Sequence, residues 1–127
     1  MIPMPTRKWG LPLLRISMSL VFLYFGLSQL WQPFRFVGWL PPEASLIPLA
    51  PTTLILFNGV LEVALGLLLL LGVYTRIAAL VLGLHLVAIA VTMGFTETAV
   101  RDMGLAFATL SVALSGSDGW SLDDKLI

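Results

Sequence analysis

Cysteine is absent from this chain and histidine occurs once, at position 85. The first absence removes disulfides, thiolate nucleophiles, Cys-ligated clusters and Cys-based zinc sites. The second excludes a bis-His haem within one chain and argues against a self-contained metal centre. Charge is scarce as well. Asp, Glu, Lys and Arg make up 11% of the 127 residues, against about 25% in an ordinary soluble domain. Too few charges exist to cover a soluble surface, so a water-soluble enzyme is excluded. Seven basic residues balance seven acidic ones, and no net field draws in nucleic acid. What the chain has in abundance is apolar: 58% of its residues are hydrophobic, with a mean hydropathy of +0.98.

A helix crossing the roughly 30 Å hydrocarbon core needs about 20 residues. Four apolar runs fit that ruler, at 12–30, 52–71, 77–95 and 100–115, the last being the shortest. Short links, 72–76 and 94–98, make the second, third and fourth runs antiparallel neighbours. The expected fold is therefore all-α, an integral membrane four-helix bundle forming one domain over residues 1–127. The first run follows Arg7 and Lys8 but is too long for a signal peptide, and it ends in Ser28-Gln29-Leu30-Trp31 rather than a small-residue cleavage site. It reads as a retained span.

Basic residues set the expected orientation. Arg7, Lys8, Arg15, Arg76 and Lys125 fall on one side, and Arg35 and Arg101 on the other. The positive-inside rule then places both termini and the tail 116–127 in the cytoplasm. The long connection 31–51 lies outside. Its prolines (33, 41, 42, 48 and 51) forbid a continuous helix, and Trp31, Phe34, Phe36 and Trp39 favour the headgroup zone. It caps the bundle or, on a sharper reading, forms a lid over a lateral lipid or quinone entrance. Trp31, Trp39, Arg76 and Trp120 are the expected interface anchors.

Ionisable groups at membrane depth are costly, by about 2.5–3.5 kcal/mol on insertion scales, and are functional candidates by default. Glu62 and His85 sit in the middle of the second and third runs, each about 17 Å from the turn between them at 1.5 Å per residue. Asn58 precedes Glu62 by one helical turn on the same face, flanked by Gly59 and Gly66. Gly104 and Ala108 offer a small-residue pair for close helix packing in the fourth run. Arg101 and Asp102 stand near that run's outer end, and Ser28 and Gln29 near that of the first. The inner half holds little that is polar beyond the flanking Arg15 and Arg76. These positions predict a polar pocket open to the outer leaflet, lined by Asn58, Glu62, His85, Arg101 and Asp102, with Glu62 at its floor. The plainer reading has Glu62 pairing with Arg101 or His85 to hold the helices in register, His85 as a hydrogen-bonded core residue, and Arg101 and Asp102 as an interfacial pair.

"LVFLYFGLSQL" in the first run, "NGVLEVALGLLLLLGVYTRIAAL" across the second and third, and "RDMGLAFATLSVALSGSDGWSLDD" from the fourth to the tail resemble the DoxX/DoxD-like family of bacterial membrane proteins. The resemblance runs from about Leu14 to Asp123. It places Arg15, Glu62, Gly66, Gly72, Arg76, Arg101 and Ser121-Leu122-Asp123 at recurrent motif positions. It implies a four-helix protein of the bacterial cytoplasmic membrane with a connection to quinones, since the family takes its name from a subunit of an archaeal thiosulfate:quinone oxidoreductase. It does not imply a reaction, because function lives in a site rather than a fold.

Three functions follow as expectations. The first is a non-catalytic accessory subunit of a larger respiratory, photosynthetic or redox complex, not an enzyme on its own. The second is a quinone-binding subunit of a membrane oxidoreductase, with Glu62 and His85 or Arg101 on the headgroup and electrons from a partner. The third is a transporter of protons or a small solute. No intrinsic cofactor and no metal are expected, with quinone the one candidate ligand. The expected partners are membrane lipids and other proteins or further copies of the chain.

Overall fold

A computed structural model describes residues 7–40, 42–92 and 96–123. Four α-helices account for most of them: α1 (Arg7–Trp31), α2 (Pro51–Leu71), α3 (Thr75–Thr92) and α4 (Glu97–Ser115). Two 3-10 segments, Pro33–Trp39 and Pro42–Leu46, occupy the proline-rich connection. No strand occurs among the described residues.

The helices start earlier than hydropathy alone suggests, because hydropathy does not register caps. α1 begins at Arg7 and carries Pro12 inside it. A proline so near an N-terminus forfeits only the bond to the Lys8 carbonyl. Pro51 opens α2, where its missing N–H is unneeded. Thr96 caps α4, its hydroxyl oxygen accepting from the Ala99 N–H at 3.0 Å. α2 ends on Gly72, whose φ of +74° turns the chain while the Val73 N–H returns to the Leu68 carbonyl at 2.9 Å. The expected end of the third run at 95 falls outside the described residues.

Three helices, α1 from Lys8, α2 and α3, are long and apolar enough to cross a membrane. α4 is not, since Glu97, Arg101 and Asp102 occupy its first two turns. The bundle is apolar on its outside. Leu13, Tyr24, Phe57, Ile77, Val91, Phe107 and Leu114 all face outward and exposed. Small and polar residues pack inward, around a core of Met18, Phe22, Leu69, Ala78, Ala79, Leu82 and Val112. This distribution suits a lipid solvent, where helix packing rests on close approach rather than on hiding apolar surface from water. The chain is a multi-pass membrane protein.

Helix pairing departs from the simple hairpin series. α2 lies most closely against α1, and α3 against α4, with fewer contacts between α2 and α3. Glycine explains the first pair. A Cβ on Gly26 would lie 2.8 Å from Val63 Cγ2, and one on Gly59 would lie 3.0 Å from the Gly26 carbonyl oxygen. On the α3–α4 side the close approach comes from Gly83, where a Cβ would lie 2.6 Å from Leu110 Cδ2. Gly104, expected to serve that purpose, has nothing within 4 Å of its missing side chain and faces outward.

Residues 116–123 fold across one end of the bundle, together with the N-terminal turns of α1 and the α2–α3 turn. Arg15 is buried there rather than flanking the span. Its Nε donates to Asp118 Oδ2 at 2.8 Å, and its Nη1 donates to the Leu69 and Leu70 carbonyls at 2.9 and 2.6 Å. Asp123 caps α3 from outside: its carboxylate accepts from the Tyr74 N–H, the Thr75 N–H and the Thr75 hydroxyl, at 2.7–2.9 Å. Trp120 sets its ring edge-on against Trp9, with centroids 5.1 Å apart. This is the tail end. The 31–51 connection and the entry to α4 lie at the opposite, loop end.

Candidate functional site

Between the helix pairs, towards the loop end, lies a cavity of about 320 Å³. Its walls are mostly apolar, from Phe22 and Phe25 on α1, Leu86 and Ile89 on α3 and Leu105 on α4, with Phe36 and Leu40 of the connection at its loop-end side. Pockets that hold small ligands run from roughly 300 to 1,000 Å³ and combine such walls with a few placed polar groups.

The polar groups come from all four helices. Gly26 brings the α2 backbone against α1, and Gln29, one turn further along, then reaches the α2 polar stripe. Gln29 Nε2 donates to Glu62 Oε2 at 3.1 Å and to the Phe25 carbonyl at 3.1 Å. Asn58 Nδ2 donates to Gln29 Oε1 at 2.6 Å and to Glu62 Oε1 at 3.1 Å. Gln29, Asn58 and Glu62 thus form a closed triangle, with Gln29 and Glu62 each about 5% exposed. From α3, His85 Nε2 meets Asn58 Oδ1. An amide oxygen only accepts, so in this contact His85 Nε2 donates, which in the neutral ring leaves Nδ1 as an acceptor.

Glu62 and His85 stand ten residues from Gly72 and from Thr75 respectively, at matching depth in the two helices. They do not touch. Asn58 bridges them, and Glu62 pairs with neither His85 nor Arg101. Asp102 is buried at the cavity wall, and its Oδ1 lies 3.7 Å from the exposed Arg101 Nε, too far for a hydrogen bond. The cavity therefore draws together Asn58, Glu62, His85, Arg101 and Asp102. Of the expected interface anchors, Trp31, Arg76 and Trp120 are exposed, and the Trp39 side chain lies outside the described set. Tyr24 points outward from α1 with its ring edge-on to Phe25. Among the described residues no group of three metal-ligating side chains forms.

A model of the DoxX family matches residues 10–94. The chain belongs to the DoxX family. The matched stretch takes in α1 from Gly10 onward, α2 and α3 of this DoxX chain, and with them Arg15, Gln29, Asn58, Glu62 and His85. Arg101, Asp102 and the tail that carries Asp118 and Asp123 lie beyond it. Comparison with curated proteins and with solved structures gave no significant match.

Sequence reasoning passed over two features of this DoxX bundle. Gln29 was noticed only as a polar residue near a helix end, and no spacing rule ties it to Glu62, 33 positions away. The Arg15–Asp118 pair was missed as a pair, although a buried-length span carrying one arginine asks for a carboxylate at the same depth. The surplus acids of the tail were the available signal. Burial alone would raise the Asp118 pKa. The Arg15 hydrogen bond, the Trp120 N–H and the Arg15 charge outweigh it and hold the carboxyl below its ordinary range. Asp123 is held low in the same way: burial raises it, and the Thr75 and Tyr74 donors lower it further.

Proposed function

We propose that this DoxX chain crosses the bacterial cytoplasmic membrane four times, with both termini on the cytoplasmic side, and serves as a quinone-binding subunit of a larger membrane redox complex. The nineteen residues of α4 give about 28 Å of helix, close to the hydrocarbon thickness, and α4 packs along α3 with Phe107 and Leu114 turned outward. Lys8, Arg15 and Arg76 belong to the tail end, and Arg35 and Arg101 to the loop end, the asymmetry the positive-inside rule assigns to cytoplasmic and outer faces.

One observation carries the ligand reading: a mostly apolar cavity whose polar wall is a hydrogen-bond network joining α1, α2 and α3, faced by Arg101 and Asp102 of α4. The apolar walls suit a ring, and the polar groups suit its oxygen substituents: Arg101 as a donor to a carbonyl oxygen, His85 and Asp102 as acceptors from a hydroxyl. A bound quinone would supply the two-electron, two-proton couple that no side chain of this chain supplies. His85 holds an accepting nitrogen, Nδ1, in place through its Nε2 contact with Asn58. Glu62, fixed by two amides, keeps the network in register. Partner proteins would bring the electrons.

The test is a purification of the tagged chain from its native membrane in mild detergent, with organic extraction and mass spectrometry of the same sample. Quinone retained by the wild type and lost in Glu62→Gln supports the reading. A stoichiometric complex with no quinone on this chain overturns it and leaves the plainer role, a non-catalytic accessory subunit.

A further inference from the structure

The polarity of the network says which redox form of the ligand it suits, an inference that rests on the quinone reading above. Gln29 has two amide N–H bonds, directed to Phe25 O and Glu62. Asn58 has two, directed to Gln29 and Glu62. The His85 Nε2–H goes to Asn58 Oδ1. The Thr92 hydroxyl donates to Ile89 O at 2.7 Å. Every one of these donors is already engaged within the protein.

What these groups leave towards the cavity are acceptors. His85 Nδ1 has a free lone pair, Glu62 has lone pairs beyond the two it uses, and Thr92 Oγ1 can still accept. The Asp102 carboxyl has the Arg101 guanidinium at 3.7 Å and Glu62 as a neighbouring acid, and its oxygens accept. Arg101 is the one cavity-lining side chain among those described with donors to offer, and it is exposed.

A dione carries two acceptor oxygens and no donor. Set against this wall, away from the exposed Arg101, it would place oxygen against oxygen and lone pair against lone pair. Its reduced partner carries two ring hydroxyls, each a donor, and matches the wall. We infer that the cavity selects an aromatic diol, the hydroquinone form of the ligand, over the corresponding dione. The shared chemistry is a ring-bound hydroxyl pair, whether borne by a membrane lipoquinol or by a free phenolic compound.

The experiment measures equilibrium binding of 2,3-dimethylhydroquinone and of 2,3-dimethylbenzoquinone to the full chain in lipid nanodiscs, without oxygen. Each hydrogen bond made by the diol and lost by the dione contributes roughly tenfold, so the diol is expected to bind tenfold tighter or more. Asp102→Asn, which adds an amide donor at a position with no short partner to lose, is expected to shrink that ratio. Equal binding, or a tighter dione, overturns the inference while leaving the quinone reading in place. Binding of neither form overturns both. Repeating the series with decyl-tailed compounds separates the sources. Tighter binding with the tail marks a ligand drawn from the bilayer, and unchanged binding marks a free phenol; the diol preference is expected in either case, and its loss counts against the inference.

Discussion

Asp118→Ala should destabilise the chain more than any other single change in the tail. The Arg15 and Asp118 side chains are 2% and 5% exposed, so removing the carboxylate leaves a buried guanidinium without its ion-pair partner, the Asp123 charge being the weaker one left nearby. Breaking a buried pair in this way costs roughly 3–5 kcal/mol. The low end applies, about 3 kcal/mol, because the Leu69 and Leu70 carbonyls still accept from Arg15 Nη1. For a chain of this length that corresponds to a fall of about 10 °C in the unfolding midpoint, readable by thermal denaturation in detergent.

Two further variants separate charge from hydrogen bonding. Asp118→Asn keeps an acceptor for the Trp120 N–H, which the wild type bonds at 2.9 Å, but it discards the charge. If the pair acts through charge, Asn should lose nearly as much as Ala. The double variant Arg15→Met with Asp118→Leu should recover part of the loss, since replacing a buried pair by apolar groups of similar volume is often near neutral. An Asn variant as stable as the wild type would refute the reasoning, and so would a double variant no better than Asp118→Ala alone.

Acid should act on the same end. The Asp118 and Asp123 carboxyls are held low in the folded chain, so the stability they contribute is complete above about pH 3.9, the ordinary carboxylate value, and is lost as pH falls through their folded values. A midpoint that drops below about pH 4 in the wild type, and drops less in Asp118→Asn, is the expected titration. Gly72→Ala should lower the midpoint by several degrees, because a Cβ there would lie 2.6 Å from Ser121 and the φ of +74° disfavours any side chain. Gly26→Val should cost about 1–3 kcal/mol as an overpacked contact. It should also separate Gln29 from Glu62, seen as a changed amide environment at Gln29 in NMR of labelled protein. Asn58→Leu strands the His85 Nε2–H and one donor contact of Glu62, for about 1–3 kcal/mol; an unchanged midpoint would show that the triangle is not closed.

The helical class and the apolar runs were legible because a lipid-facing span must be apolar along its whole length, whatever its neighbours do. The matching depth of Glu62 and His85 was legible too, since a short turn between helices fixes level by counting. Facing was not. Asn58 as the bridge, and Gln29 as the second amide on Glu62, depend on how α1 meets α2, which Gly26 and Gly59 decide through contacts between distant positions. Gly104 illustrates the same point from the other side. Spaced like a packing motif with Ala108, it points outward, because the face of α4 that meets α3 is chosen by Gly83 and Leu110. Caps were missed for a different reason. Asp123 acts as the cap of a helix that starts 48 positions earlier, and local patterns do not reveal a cap supplied from the far end of the chain.

The two ends of the bundle carry different kinds of polar contact, and the difference bears on function. At the tail end an ion pair and a three-bond carboxylate cap join α1, the α2–α3 turn and the segment after α4, so both helix pairs are tied to the same short tail. Such contacts are costly to break and hold geometry. At the loop end the contacts are two amides on the Glu62 carboxyl, an imidazole and one loose ion pair at 3.7 Å, around a cavity and beneath a connection of short 3-10 turns. Regions with few packed contacts open at lower free energy than cores. Fewer side-chain bonds join the helix pairs where the cavity lies than at the tail end. Cutting the tail before Asp118 should therefore weaken ligand binding and stability together, whereas changes at Asp102 should alter binding with little effect on the unfolding midpoint. The reverse pattern, a tail-less chain that still binds tightly, would place the rigidity of the site in the α1–α2 glycine contacts instead.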